Sequence, residues 1–401
     1  MMDSSIHVTK SFRDADDKET VENEQTDHCL LVMKDVPVSM ANAIRRTVLC
    51  NIPVLAIDEK DVKIKTNTGP LHCEYVSHRL SLIPISLQEE EPQVGGGGGG
   101  GGQEDEEYYG PPQDDYGPPK DDGGFGGGGA GVGYDPTTST DAAAYMVPVQ
   151  DYKIQERFTF AFSVKNDAPA TAVMEVTTDN IRVFDMGKDV TAKMLPVIFK
   201  DKYLITKLKP KEEIECEFKL SPGTAAQHAR WQAVNTISYR YLVPADNLQT
   251  PSTMTYDKIS LSEEAGAGAA PQGFIFYIEK GVLPITTVCQ QALEIIKDKI
   301  SAFSKFVEKN KIGNKAWWRA KDQMVEFEYS NETHTVGNLI ATYGLLLFPE
   351  AFIGYRITHP LENKILLRFK FAAAPLDQHF ENIQRICEKI TQDCDVLSTF
   401  F

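Results

Sequence analysis

VSMANAIRRTVL (residues 38–49) and HTVGNLIATYGL (residues 334–345) read as two copies of one helix. At one constant shift Ser39 meets Thr335, Asn42 meets Asn338, Ile44 meets Ile340 and Leu49 meets Leu345. The same shift brings Pro53 onto Pro349 and Ile57 onto Ile353, so a proline stops each helix and a strand follows. Any capped amphipathic helix resembles another. A cap, an Asn at fixed offset and a terminating proline in one ungapped register are harder to obtain by accident.

Ser39 and Thr335 are expected N-caps, with hydroxyls for the orphan N–H groups of the first turn. Asn42 and Asn338 then stand at the third helical position and can reach back in a capping-box manner. The apolar stripes are Met40, Ala43, Ile44, Thr47 and Val48 in one copy and Val336, Leu339, Ile340, Tyr343 and Leu347 in the other. Arg45 and Arg46, replaced by Ala341 and Thr342 in the second copy, are expected to face away from the stripe. They are either a solvated face or a fork for acidic groups of another protein.

Around these helices the 401-residue chain has length for two or three domains. No apolar run approaches the roughly 20 residues of a membrane helix, and the polar start lacks a signal-peptide core. An intracellular, soluble protein is expected. The 7 cysteines are scattered without a Cys-x-x-Cys pair, which argues against a disulfide framework or a ribbon-type zinc site. A net charge of −16 argues against a chain that coats nucleic acid. Much of the acid is local, with eleven Asp or Glu against one Lys in residues 89–122.

Residues 89–141, with the run Gly95–Gly102 and the tandem YGPPQDD and YGPPKDD, have a composition that favours a disordered insertion. A phosphate-cradling loop is excluded because no Gly-Lys-Ser/Thr follows. Alternation at Phe158, Phe160, Phe162 and Val164, and again at Ile214, Cys216, Phe218 and Leu220, marks a β-rich unit. A loop at 246–272 precedes strand FIFYI, and three- and four-residue spacing predicts a long helix over 285–309. Residues 310–321 read as a basic connector in which Trp317 and Trp318 anchor to a surface. The stretch 322–401 alternates strand, helix, two strands and a closing helix over 377–397.

VSMANAIRRTVLCNIPVLAID and HRLSLIP (78–84) carry a resemblance to the alpha-type assembly subunit of cellular RNA polymerases, nearest the third subunit of polymerase II and the D-type subunit of archaea. HARWQAVNTISYRY (228–241) and the long helix extend it. HTVGNLI and YRITHP, within 322–401, resemble the small partner, the eleventh polymerase II subunit or the L-type subunit of archaea. The resemblance implies an α+β fold in which two alpha-type dimerisation units form an intrachain pseudo-dimer, the first interrupted by a β-rich insert. The expected parts are 1–85 with 227–309, an insert over 86–226, a linker over 310–321 and a small-partner unit over 322–401. The pseudo-dimer interface would use Met40, Ile44, Val48, Val336, Leu339, Ile340 and Tyr343.

By the same resemblance the chain is a non-catalytic platform for the two large subunits and for small zinc-bearing subunits, one copy per complex. It would meet DNA only indirectly and no membrane. Arg45, Arg46, His78 and Arg79 would contact a large subunit. No cofactor is expected in this chain, magnesium and zinc belonging to partner subunits. Ser81 departs from the family's usual Gly. The single-chain arrangement resembles fusions in large DNA viruses, which places it in host cytoplasm or virion, with the nucleus as the alternative. Two rival readings are an enzyme built on Cys50, His72, Cys73 and His78, whose spacing fits no metal or nucleophile site, and a free-standing transcription adaptor.

Overall fold

Both quoted stretches are helical in the computed structural model, which describes residues 6–13, 19–20, 26–86, 157–169, 172–242, 273–311, 324–359, 364–371 and 375–401. These all belong to one compact unit. The glycine-rich insertion, the 246–272 loop and the Trp317–Trp318 connector lie outside them.

The first half opens with strands β1 (His7–Arg13), β2 (Glu19–Thr20) and β3 (His28–Lys34), then α1 (Val38–Cys50). Strand β4 (Pro53–Ile57), β5 (Lys63–Asn67) and α2 (Cys73–Ser81) follow. Beyond the insertion come β6 (Phe158–Lys165), β7 (Met174–Thr177), β8 (Arg182–Asp185), β9 (Lys188–Asp189), α3 (Thr191–Ile198), β10 (Leu204–Leu208), β11 (Glu213–Phe218) and β12 (Leu220–Thr224). Strands β13 (Thr236–Leu242) and β14 (Gly273–Glu279) lead to α4 (Ile285–Lys311). The second half is β15 (Val325–Ser330), α5 (His334–Leu347), β16 (Phe352–Ile357), β17 (Lys364–Lys370) and α6 (Leu376–Ser398).

The two halves repeat more deeply than one helix. Helices α1 and α5 start at Val38 and His334, the same shift that aligns their sequences. The turn before each holds a residue in the left-handed region at the same offset, Asp35 (φ 59°) and Asn331 (φ 63°). Asp and Asn tolerate that conformation better than most side chains. A second constant shift carries β14 onto β17 and α4 onto α6, with Gly273 meeting Lys364 and Ile285 meeting Leu376. Pro284 and Pro375 precede the two helices. Under both shifts the strand register is identical: Cys29 pairs with Ile278 as Val325 pairs with Phe369, and Leu31 with Phe276 as Phe327 with Leu367.

This register corrects two expectations. The strand after α5 is the counterpart not of β4 but of β13, which flanks β14 as β16 flanks β17. Strand β4 instead pairs with β12, and β5 enters the five-stranded sheet β5-β11-β6-β8-β9 of the insert. The insert therefore departs just after α1 and returns just before β13, a wider span than 86–226. Its footing is the β4–β12 ribbon. Gly223 there lets Trp231 lie against the backbone, since a Cβ would stand 2.4 Å from its Cδ2. Trp231 Nε1 also donates to the Ser221 carbonyl at 2.9 Å.

Helices α1 and α4 of the first half meet α5 and α6 of the second: α1 packs on α4 and α5, and α6 on α4 and α5. One apolar core runs through all four and through both sheets. The stripes that the second shift superimposes are buried in both copies: Cys289 and Phe380, Ala292 and Ile383, Ile296 and Cys387, Phe303 and Cys394. At ~1.5–3 kcal/mol for each fully buried large apolar side chain, this shared core outweighs the ion pairs at its rim. Those include Lys299 to Glu332 at 3.1 Å and Lys297 to Asp395 at 2.9 Å. Aromatic contacts tie α4 to β15, with Phe306 and Tyr329 ring centroids 4.9 Å apart.

Candidate functional site

Of the residues expected at the pseudo-dimer interface, Met40, Ile44, Val48, Val336, Leu339, Ile340 and Tyr343 are all buried. Leu347, assigned to the stripe, is 38 % exposed, because α5 has left the junction by its last turn. Gly344 takes the buried position instead, and a Cβ there would lie 2.5 Å from Ile353 Cδ1. Tyr343 brings a polar tip into the core, and its hydroxyl donates to Asp393 Oδ2 at 2.9 Å. Burial, then the Asp393 charge, pushes this phenol well above its ordinary pKa. Lys389 Nζ closes the network at 2.7 Å from the other carboxylate oxygen.

The expected caps are not caps. Helix α1 begins at Val38 after Pro37, and α5 at His334 after Thr333, so Ser39 and Thr335 are second residues inside their helices. Neither N-cap position supplies a side-chain hydrogen bond. Pro37 has the fixed φ that a helix start needs and takes the place a Ser would otherwise fill. The Ser39 hydroxyl is buried without a partner among the described residues. Thr335 Oγ1 accepts from Arg46 Nε at 2.8 Å, across the two halves. Asn42 does not reach back either, since its Oδ1 accepts from Arg45 Nε and Nη2 at 3.2 and 2.9 Å.

Arg46 thus departs from its expected outward position. It is half-buried at the α1–α5 junction, beside a cleft of about 80 Å³ between the amino ends of the helices. Ser39 and Asn42 border the cleft from α1, Thr335 and Asn338 from α5. His334 and Tyr355 of β16 complete it, Nδ1 and hydroxyl 3.2 Å apart. Burial raises the Tyr355 phenol pKa and Arg46 draws it back. Arg45, on the adjoining face, acts likewise on Tyr239, whose phenol burial also raises.

His78 is exposed on α2. Arg79, beside it, is committed within the chain: Nε and Nη2 donate to the carbonyls of Ile205 and Leu204, both at 2.8 Å. It fastens α2 to β10 of the insert. Ser81 is buried and donates to the His78 carbonyl at 2.7 Å, so the hydroxyl is absorbed by its own helix. Arg230, within the stretch 228–241, bridges Asp58 at 3.4 Å and Glu59 at 2.7 Å beside the β4–β12 ribbon. Sequence patterning held no sign of its clamp role, because the partners Asp58 and Glu59 lie 172 and 171 residues away along the chain. Cys50, Cys73, His72 and His78 are all exposed and form no metal cluster; among the described residues no three His, Cys, Asp or Glu come together to hold a metal ion.

Two descriptions of the same domain, the RNA polymerase Rpb3/Rpb11 dimerisation domain, match this chain, over residues 31–300 and 324–399. The chain belongs to the Rpb3/Rpb11 dimerisation family. The two matches correspond to the two copies of the strand–helix repeat. Subunit Rpo3 of the DNA-directed RNA polymerase of Pyrobaculum calidifontis is 24 % identical over 68 % of this chain and 89 % of its own length. Subunit RPB3 of Schizosaccharomyces pombe RNA polymerase II is 34 % identical over 23 % of this chain and 28 % of the relative. Subunit 3 of RNA polymerases II, IV and V of Arabidopsis thaliana is 40 % identical over 15 % of this chain and 18 % of the relative. In the last two the alignment spans less than a third of the curated relative. No helix among the described residues is long and apolar enough to cross a membrane.

Proposed function

We propose that this chain is a non-catalytic assembly platform of a DNA-directed RNA polymerase, one copy of which nucleates the two large subunits. The observation that carries this reading is the presence of two Rpb3/Rpb11-type modules in one chain, closed on each other through α1–α5 and α4–α6. In this reading the chain fuses two partners that other polymerases keep separate. Tethering makes their association intramolecular, with an effective concentration on the order of mM for a short linker, and fixes their ratio. Met40, Ile44, Val48, Val336, Leu339, Ile340 and Tyr343 hold the pseudo-dimer. Arg45, Arg46 and His78 face a large subunit, while Arg79 supports the surface beside them.

Small zinc-bearing subunits join the same complex, which holds the magnesium and zinc; this chain needs none. It meets DNA only through its partners. The single-chain arrangement fits a polymerase encoded by a large DNA virus and acting in host cytoplasm or virion, with the nucleus the compartment otherwise.

The test is recovery of partners on the tagged full-length chain from its own source. Wild type is expected to retain two much larger chains. Ile44→Asp with Ile340→Asp, which places unpaired charge in the core, is expected to lose them. Retention by the double variant contradicts a platform built on the pseudo-dimer.

A further inference from the structure

We infer that the cleft between α1 and α5 is a seat for one small oxyanion, a carboxylate of the docking partner, and that Thr335 of one half aims Arg46 of the other into it. This rests on the platform reading and deepens it by naming the chemistry of the contact. Four observations converge. Arg46 is held through Nε by Thr335, and its two Nη groups have no partner among the described residues. A guanidinium anchored at Nε presents a planar fork suited to a carboxylate.

The amino ends of α1 and α5, 13 and 14 residues long, both border the cleft, and neither has a side-chain cap. Met40 N–H of the first turn of α1 donates to the Pro37 carbonyl at 3.0 Å, and the N–H groups ahead of it, like those opening α5, carry the positive end of the helix dipole. Ser39, 2 % exposed, borders the cleft with a buried hydroxyl that has no partner among the described residues. A buried hydroxyl without a partner is unfavourable, and a ligand oxygen relieves that cost. The lining holds an Arg and a His but no Asp or Glu.

The cleft, about 80 Å³, has room for a carboxylate or a sulfate. Because Arg46 and Ser39 come from one half and Thr335 and His334 from the other, the seat exists only when the halves are paired. The cleft would therefore report correct pairing to whatever docks on it.

The experiment has two arms on the full chain. In the first, the His334 ring resonance, assigned with His334→Gln, is followed by NMR as sodium sulfate or sodium acetate is titrated against sodium chloride at matched ionic strength. Saturable shifts with the oxyanions are expected, weakened at least tenfold in Arg46→Gln and Thr335→Val and unchanged in Lys188→Gln, on β9 of the insert. Shifts that chloride reproduces, or that survive Arg46→Gln, overturn the site. In the second arm, recovery of the large chains is compared for the same variants. A tenfold loss with Arg46→Gln and with Thr335→Val, the latter nearly isosteric and checked for an unchanged melting temperature, supports a partner carboxylate. Full recovery overturns that source even where sulfate binds. If wild type recovers no large chain, the platform reading fails, and the sulfate titration alone decides whether the seat exists.

Discussion

Gly337→Ala sets two effects of known size against each other. Gly337 is the fourth residue of α5, and its φ is not in the left-handed region. Helix propensity alone predicts that Ala stabilises the protein by ~1 kcal/mol. The packing predicts the reverse. A Cβ there would stand 2.4, 2.7 and 2.9 Å from Cδ2, Cγ and Cε2 of Tyr355. Comfortable carbon contacts are ~3.5–4.0 Å, so the ring must retreat by about 1 Å. It has little room, because its hydroxyl is 3.2 Å from His334 Nδ1 and its ring packs edge-on to the imidazole at 5.8 Å. Overpacking of this kind costs ~1–3 kcal/mol, and the net expectation is a loss of up to ~2 kcal/mol. Urea unfolding of wild type, Gly337→Ala, Tyr355→Ala and the double variant measures it. With the ring removed, Gly337→Ala should recover most of its propensity gain, giving a coupling of ~1–3 kcal/mol. A stabilised single variant, or additivity across the cycle, would refute the claim that Gly337 exists to admit the ring.

Tyr343→Phe should cost ~1.5–3 kcal/mol by urea unfolding, since it removes a buried hydrogen bond to a carboxylate; a change under ~0.5 kcal/mol contradicts the network. Thiol titration of the native protein near pH 8 should count Cys50 and Cys73 as fast and the five buried cysteines as slow until denaturant is added. Burial pushes Cys216, Cys387 and Cys394 up from 9.0 to about 12. A folded pKa above the unfolded one stabilises fully below pH 9 and loses that contribution as pH climbs towards 12. Stability should therefore fall over that window by up to ~1.4 kcal/mol per pH unit for each thiol, and Cys387→Ala should flatten the fall; a pH-independent melt from 9 to 11 argues against buried thiols.

The α1 and α5 copies were legible because proline, Asn and apolar spacing are local signals that separation along the chain does not blur. The caps were misread for a local reason as well. Ser39 and Thr335 have the chemistry of caps, but Pro37 and Thr333 precede the helices, and the hydroxyls are spent at the junction or left for a ligand. The second shift, of β14 and α4 onto β17 and α6, was visible only as Pro284 and Pro375 before amphipathic helices. Its apolar residues mostly differ in kind, with Val288 against His379 and Phe303 against Cys394, and a single identity inside the helices, Ile295 against Ile386, is too little to mark it. Strand β4 looked like the counterpart of β16 because Pro53 and Pro349 align. Pairing is a long-range property, and the Leu220–Ile57 register that overrules the alignment has no local signature. Arg46 could not be placed inward from sequence, because its acceptor lies on another helix.

The most direct measurement is native mass spectrometry of the complex purified on the tagged chain from its own source. The account predicts one copy of this chain with one copy each of two larger chains, and no separate small Rpb11-like subunit, since the chain supplies both modules. A homodimer of this chain, or a complex in which a second Rpb11-like chain sits beside it, would contradict the intrachain pseudo-dimer as the platform.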